Sequence, residues 1–250
     1  MITTMKRILP LLVAAAGLAQ AEITVTVGDV SDQRSTGEFS ARLEIKLLLS
    51  GAELADVKGM RLKVSSATDD TGKNLADEKI QRMFADEFKP LEEPFGVGPK
   101  KKGEFEAAID LTNPERAAKT VKLSGKLELM SPKADPTSVV TASLAKDAGK
   151  PLTNPAMKAA GVEITLQAPK GDELGYKIKD PKGKVAAVEF CAADGKPLKT
   201  NGTSSMGFGG SKTVSVTVAK QPEGVVAKIY LLTEKSVVTV PFKLDAIKLP

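Results

Sequence analysis

The chain contains no histidine among its 250 residues. Histidine is the usual general base near neutral pH, the central residue of Ser-His-Asp and Cys-His nucleophiles, and a frequent ligand of zinc, copper and iron. Its absence excludes those catalytic groups and argues against most transition-metal sites. We therefore predict a protein that is not an enzyme, with no catalytic residues, no cofactor and no metal-ligand set.

Aromatic residues are also scarce, because the chain has no tryptophan and two tyrosines. Proteins that bind single-stranded nucleic acids, like many that bind sugars, stack their ligands on exposed aromatic rings. Tyr176 lies between Leu174 and Ile178 in an alternating apolar run, so we expect its ring in the core. The composition therefore disfavours a sugar-stacking module and specific nucleic-acid binding.

Cysteine occurs once, at Cys191. A single cysteine forms no disulfide within its own chain, so packing alone has to stabilise the fold. Cys191 follows Phe190 at the end of an alternating run, which predicts a small buried hydrophobic residue with an unreactive thiol. An intermolecular disulfide is the alternative interpretation.

No apolar run is long enough for a transmembrane helix, which needs about 20 residues. The run from Ile8 to Ala19 is shorter, follows two basic residues, and leads into Ala19-Gln20-Ala21. This order is typical of a secretory signal peptide with an A-x-A cleavage site. We expect residues 1–21 to be removed, so that the mature protein begins at Glu22 and is exported across the cytoplasmic membrane to the periplasm or the cell exterior.

The chain does contain a clear alternation of apolar and polar residues. From Glu38 to Leu49 every odd-numbered residue is apolar, and the polar residues are all even-numbered. This pattern predicts a long, half-buried β-strand. A slip of one residue would expose the whole apolar face, so the pairing register is strongly specified.

Further alternating runs and two short helical patterns follow along the chain. A helical period covers Asp77 to Lys89, and Asn154 and Gly161 frame a second short helix over Ala156 to Ala160. The strand-like runs are Ile23–Val27, Met60–Val64, Phe105–Leu111, Val121–Leu129, Val139–Leu144, Val162–Leu166, Leu174–Ile178, Val185–Cys191, Val214–Val218, Ala227–Leu231 and Val238–Leu244. The predicted class is all-β with one short helix in each half. The architecture resembles tandem immunoglobulin-like (fibronectin-like) antiparallel β-sandwiches, a resemblance of fold that implies no function.

The length of the mature chain suggests two domains. Ser131 to Pro136 is proline-rich and free of large apolar residues, which is typical of a boundary. We predict a first β-sandwich at residues 22–131, a linker with a short helix that packs on the second domain at 132–160, and a second β-sandwich at 161–250.

Two short motifs are similar to catalytic or phosphate-binding patterns. Ser143 and Lys146 match S-x-x-K, in which a lysine activates a serine nucleophile, but no K-T-G follows downstream. Gly207 to Thr213 is glycine-rich with a lysine, but a strand pattern follows it where a phosphate loop requires a helix. We interpret the serine and lysine as a chance match, and Asn201 to Ser211 as a flexible hairpin loop.

Asp69 and Asp70 are adjacent carboxylates that could bind calcium. Calcium takes six to eight oxygen ligands, and adjacent side chains at a strand end point to opposite sides. A turn that ends at Gly72 explains the two residues better, although metal binding there stays open at this point.

Charge is distributed unevenly along the chain. Residues 133–250 carry 17 lysines, no arginine and 11 acidic residues, a net charge of +6. Lysine binds anions as a point charge without the planar fork of arginine, so geometry-tolerant anion contacts are expected. We predict an anion-binding patch of Lys177, Lys179, Lys182 and Lys184 on a hairpin from Tyr176 to Val185. The alternative is a lysine-protected sheet edge.

These patterns predict an exported, non-catalytic binding or structural protein. Its expected partner is an envelope protein or an anionic cell-surface polymer, and the sequence does not indicate the oligomeric state. One alternative is a periplasmic chaperone or assembly factor that acts by β-strand addition. A second is a Ser/Lys hydrolase that uses Ser143 and Lys146.

Overall fold

The computed structural model describes residues 23–35, 41–76, 88–89, 104–208 and 210–250. The predicted signal peptide lies outside these residues, as does the predicted helix from Asp77 up to residue 87. Lys89, the last residue of that predicted helix, instead forms an antiparallel β-bridge with Met60. The helical period therefore does not extend to Lys89.

Strands make up most of the described part of the chain. In chain order they are β1 (Thr24–Gln33), β2 (Arg42–Ser50), β3 (Gly59–Asp69), β4 (Glu104–Leu111), β5 (Thr120–Met130), β6 (Val139–Ser143), β7 (Glu163–Leu166), β8 (Glu173–Lys179), β9 (Val185–Cys191), β10 (Thr200–Phe208), β11 (Ser211–Val218), β12 (Val226–Leu231) and β13 (Val237–Lys248). Two short helices, α1 (Leu144–Asp147) and α2 (Pro155–Ala160), and 3₁₀ turns at Ala52–Asp56 and Pro136–Ser138 complete the list. The prediction of an all-β, sandwich-like protein is confirmed at this level.

The first pair of sheets is organised around β2. One sheet has the strand order β1-β2-β4 and the other β13-β5-β3, with every pairing antiparallel. The inward residues of β2 are fully buried, as the alternation predicts, and they pack with apolar residues of β5 in one hydrophobic cluster. The inward residues of β2 are Leu43, Ile45, Leu47 and Leu49.

The second pair of sheets has the strand orders β10-β11-β8-β7 and β6-β12-β9. Its hydrophobic cluster includes Ile164, Tyr176, Phe190 and Ile229, and the rings of Tyr176 and Phe190 lie 6.3 Å apart. The prediction that Tyr176 is a core residue is confirmed. Helix α2 also forms as predicted, with the Asn154 side chain accepting backbone hydrogen bonds at its beginning and Gly161 in the left-handed conformation at its end.

Strand β13 does not lie where the sequence placed it. The alternating run Val238–Leu244 was predicted to belong to the second sandwich at 161–250, but β13 pairs antiparallel with β5. Phe242 is buried in the first cluster, and a Cβ on Gly125 would come within 2.8 Å of its ring. Alternation identifies which face of a strand is buried, but it does not identify the neighbouring strand. The residues between β5 and β13 are therefore inserted into the first pair of sheets.

The two segments that connect the sheet pairs are hydrogen-bonded to each other. Asp135 is buried, and its carboxylate accepts hydrogen bonds from the Thr137 hydroxyl and, at 2.6 Å, from the Thr233 hydroxyl. The backbone N–H of Ser131 donates to the carbonyl of Ser236 at 2.8 Å. The chain thus enters and leaves the second pair of sheets through adjacent, mutually bonded segments.

A second contact between the sheet pairs is centred on Glu189 of β9. Its carboxylate binds Lys58 Nζ at 2.9 Å and accepts a hydrogen bond from the Tyr230 hydroxyl at 2.7 Å. Burial, together with this carboxylate, raises the pKa of Tyr230. Lys58, which directly precedes β3, therefore contacts β9 through Glu189, and the same carboxylate links it to Tyr230 on β12.

Candidate functional site

The outer face of the sheet β10-β11-β8-β7 carries two of the four lysines predicted to bind anions. Lys177 and Lys179 are exposed on β8 and alternate with the buried Tyr176 and Ile178. The backbone alternation of β8 therefore directs both ammonium groups to the same side, as predicted.

The hairpin predicted from Tyr176 to Val185 does not form. β8 pairs with β7 and β11, whereas β9 pairs with β12 in the opposite sheet. The turn itself is present, because Gly183 N–H donates to the Asp180 carbonyl and the Asp180 carboxylate accepts from two later backbone N–H groups. A turn sequence determines a reversal of the chain but not the sheet in which the next strand pairs. Lys182 and Lys184 therefore lie on a crossover between the sheets, at the end of β8.

The neighbours of the two β8 lysines are mostly hydroxyl groups. Thr165 and Thr213 lie directly across from Lys177, and Ser211 lies across from Lys179. With Met206 these residues line a depression of about 340 Å³. Lysine ammonium groups beside hydroxyl donors form a surface that attracts anions without a fixed geometry.

Of the described residues that line the depression, one is acidic. Glu163 lies across from Lys179, with its carboxylate 3.6 Å from the ammonium group, and both side chains are exposed. An exposed pair at this distance contributes little and is readily exchanged for another anion. Lys177 makes no ion pair with any residue that the structure describes. It is therefore the best-placed cation on this face.

Strand β10 borders the same face and was missed as a strand. The predicted flexible loop from Asn201 to Ser211 is instead β10 paired antiparallel with β11, and all nine residues of β10 are exposed. Both faces of β10 are exposed, so its sequence shows no alternation to reveal it. Met206 and Phe208 are 83% and 96% exposed and lie on the lysine-bearing side, across from Thr213 and Ser211. The signal available in the sequence was a stretch of twelve residues, 200–211, that contains no charge.

Ser143 and Lys146 lie at the junction of β6 and α1. The backbone N–H of Ser143 donates to the Asp147 carboxylate at 2.8 Å, which closes the first turn of the helix. Within the described residues no hydrogen bond joins the Ser143 hydroxyl to the Lys146 ammonium group. The pair lies at the beginning of a helix, as the hydrolase motif requires, but the contact that would activate the serine is missing.

The carboxylate of Asp69 organises a turn. It accepts hydrogen bonds from the backbone N–H groups of Thr71, Lys73 and Glu115 and from the Thr71 hydroxyl, at 2.7 to 3.0 Å. Asp70 accepts from the backbone N–H of Lys119. Protein donors thus occupy the oxygens that a cation would need. The described part of the chain contains no group of three or more metal-ligating side chains.

The Asp69 turn leads to a prediction about acid stability. Burial alone would raise the pKa of the Asp69 carboxyl, but the hydrogen bonds from Glu115, Thr71 and Lys73 outweigh it and lower the pKa from 3.8 to about 2. A carboxyl with a depressed pKa stabilises the folded state above about pH 4, and this stabilisation is lost as pH falls towards 2. Asp69→Asn should lower the free energy of unfolding at pH 7 by about 2 kcal/mol and flatten its decline between pH 4 and pH 2.

Urea unfolding at pH 7, 4 and 2 measures both effects. Asp70→Asn is the matched control, because Asp70 is exposed and accepts from one backbone N–H, so it should change stability much less. Equal losses in the two variants would show that the Asp69 hydrogen bonds do not stabilise the turn.

Cys191 lies at the end of β9 and is fully buried, which confirms that part of its prediction. Burial raises the pKa of its thiol, with a smaller opposing effect from Lys228. A thiol with a raised pKa is present as thiolate to a smaller extent and reacts more slowly. The expected lack of reactivity remains a prediction.

Comparisons of the chain with protein-family models, with curated proteins and with solved structures gave no match. Among the helices of the described residues, none has the length and apolar character needed to span a membrane.

Proposed function

We propose that the chain is an exported, non-catalytic binding protein. We further propose that it is built from two immunoglobulin-like β-sandwiches, the second of which is inserted between β5 and β13 of the first. Its binding surface is the outer face of the sheet β10-β11-β8-β7. The observation that carries the proposal is the position of Lys177 and Lys179 on one exposed sheet face beside hydroxyl groups.

The chemistry of this face favours an extended anionic polymer, such as an acidic cell-surface polysaccharide. Lys182 and Lys184 lie on the crossover at the end of β8, so four ammonium groups follow one another along and beyond a single strand. A linear polyanion could contact them in succession without a fixed register. The net charge of +6 on residues 133–250 adds a long-range attraction that steers such a partner towards this half of the chain.

Retention on immobilised heparin tests this proposal. The mature chain should bind at low salt and be released as the ionic strength rises to about 0.15 M, where the screening length falls to about 8 Å. Replacing Lys177, Lys179, Lys182 and Lys184 with glutamine should weaken binding at low salt by at least about tenfold and leave the melting temperature unchanged.

A second quadruple variant controls for net charge. It replaces Lys122, Lys158, Lys220 and Lys248, four exposed lysines that lie elsewhere, and so removes the same charge. This variant should be retained nearly as well as the unaltered protein. If both quadruple variants lose retention equally, heparin responds to net charge and the proposed face is wrong.

The alternative function, strand addition to a client protein, is favoured by one observation. Among the described strands, β10 pairs with β11 alone and lies at the edge of its sheet, and it is exposed throughout. A client strand could add to its open side through backbone hydrogen bonds. Strand addition requires this edge to be free, so whatever pairs with β10 decides whether this function is possible.

A further inference from the structure

Within the described residues no strand pairs with the outer side of β10, which leaves backbone groups there without a β-ladder partner. Asp180 N–H donates to the Gly210 carbonyl at 2.7 Å, just before β11 begins. Because the backbone groups of successive residues in a strand point to opposite sides, the even-numbered residues of β11 hydrogen-bond to β8 and the odd-numbered residues to β10. Ser211, Thr213 and Ser215 pair with even-numbered residues of β10. The N–H and C=O groups of Thr203, Ser205 and Gly207 therefore point away from β11, towards the open edge.

Strand β10 itself carries none of the sequence features that usually prevent strand pairing. Edge strands are commonly protected by lysine, by proline or by short length. β10 has nine residues, and residues 200–211 contain neither proline nor any charged side chain. Its one irregularity is a shift of register between Thr200 and Gly202, at the far end from the hairpin turn. The segment from Thr203 to Phe208 is regular and accessible.

Two large apolar side chains lie along the same strand. Met206 and Phe208 are two residues apart and project from one face, so a strand placed beside β10 would cover part of both. Exposed large apolar residues that share one face of an open edge are typical of an interaction surface.

We propose that the occupant of this edge is a second copy of the same chain, paired antiparallel through β10 about a two-fold axis. The distribution of charge around the β10 edge is the reason for choosing a second copy as the partner. On the outer face the nearest lysines lie on β8, two strands inward and about 10 Å from the edge. Lys212 of the neighbouring strand β11 lies across from Gly207 and, by alternation with Ser211 and Thr213, projects from the other face, so an incoming strand meets no charge on the outer face that it must complement. An uncharged strand is what another copy of β10 supplies, and two such strands meet without like-charge repulsion.

The two-fold arrangement also places equivalent side chains of the two copies on the same face of the merged sheet. Odd-numbered residues point their backbone groups outward, so they pair with odd-numbered residues of the second copy. Met206 and Phe208 of both copies then lie on the same face and can cluster there. The two sheets merge into one sheet of eight strands, with the β8 lysines of both copies on one side and about 24 Å apart.

This inference goes beyond anion binding and does not depend on it. Two lysine faces on one continuous sheet could contact a long polyanion simultaneously, which raises its apparent affinity without any new contact. A copy bound at β10 would also close the edge to a client strand, so it argues against the strand-addition function.

Sedimentation velocity of the mature chain, in the absence of any polyanion, tests the proposal. The protein should be in a monomer–dimer equilibrium in the micromolar range. Ser205→Pro removes one outward N–H from each copy and leaves the β10–β11 ladder intact, so it should raise the dimer dissociation constant by at least about tenfold. Ser205→Ala keeps the N–H group and should dimerise like the unaltered chain.

Each outcome has a defined meaning. A monomer at all accessible concentrations overturns the proposal and leaves the edge available to a client strand. A dimer that persists in Ser205→Pro, with folding confirmed by circular dichroism, uses another surface and also overturns it. Loss of the dimer in both Ser205 variants would assign the effect to the side chain and overturn the backbone pairing. Heparin retention is measured separately, so failure of the dimer and failure of the anion-binding face are distinguishable.

Discussion

A chain that ends at residue 235, before β13, should fail to fold its first pair of sheets. β13 pairs with β5 from Val237 to Lys248, and Phe242 and Ile247 are buried in the first hydrophobic cluster. Burial of each large apolar side chain contributes about 1.5 to 3 kcal/mol. Together with the loss of the β5–β13 backbone hydrogen bonds, the truncation should lower the free energy of unfolding by roughly 5 kcal/mol or more. This loss is comparable with the stability of a whole domain.

Two spectroscopic signals separate the two halves of the structure in this experiment. Both tyrosines of the chain lie in the second pair of sheets, Tyr176 on β8 and Tyr230 on β12. Tyr176 lies in the second hydrophobic cluster, whereas Tyr230 also packs with Met130 of β5, so tyrosine fluorescence reports mainly on the second pair. Far-ultraviolet circular dichroism reports on all strands. The truncated chain should lose a large part of its strand signal and keep its tyrosine transition.

A fragment of residues 136–232 serves as the control for the truncation. It contains β6 to β12 and the whole second hydrophobic cluster, so it should fold by itself with the same tyrosine transition. A truncated chain that kept the full strand signal and both transitions would show that β13 is dispensable for the first pair of sheets.

The sequence predicted those features that depend only on residues close to them along the chain. Alternation identified the buried face of β2 and the exposed position of Lys177 and Lys179, since the period of a strand is a property of the strand alone. Asn154 and Gly161 identified the ends of α2 because capping acts within a few residues.

Features that depend on distant partners were not predicted. The place of β13 beside β5 depends on residues more than 100 positions away, and nothing in its own alternation distinguishes that neighbour from another. The crossover after Lys179 has the turn residues of a hairpin, but packing decides in which sheet β9 pairs. On the candidate site, Met206 and Phe208 were missed because a strand exposed on both faces has no apolar period.

A charge placed at the centre of β2 should strongly destabilise the first pair of sheets. Ile45 is fully buried, and its neighbours across the sheet are Val30 on β1 and Ile109 on β4. A lysine there would leave an unpaired ammonium group among apolar side chains, at a cost of several kcal/mol beyond the loss of the isoleucine. Ile45→Lys should therefore unfold the first pair of sheets at 25 °C.

The matched control is Leu48→Lys, which makes the same chemical change three residues later on the other face of β2. Leu48 is half-buried, so its ammonium group can reach water, and the expected loss is about 1 kcal/mol. Urea unfolding followed by circular dichroism should show an unfolding transition of the first pair of sheets in Leu48→Lys. In Ile45→Lys that transition should be absent, because this pair is already unfolded without urea. Tyrosine fluorescence should give the same midpoint in both variants, because Tyr176 lies in the second cluster and Tyr230 packs with Met130 and Ala186, outside the first cluster. If the tyrosine midpoint falls together with the strand signal in Ile45→Lys, the bonded connection at Asp135 and the Glu189 contact couple the two pairs of sheets into one unfolding unit.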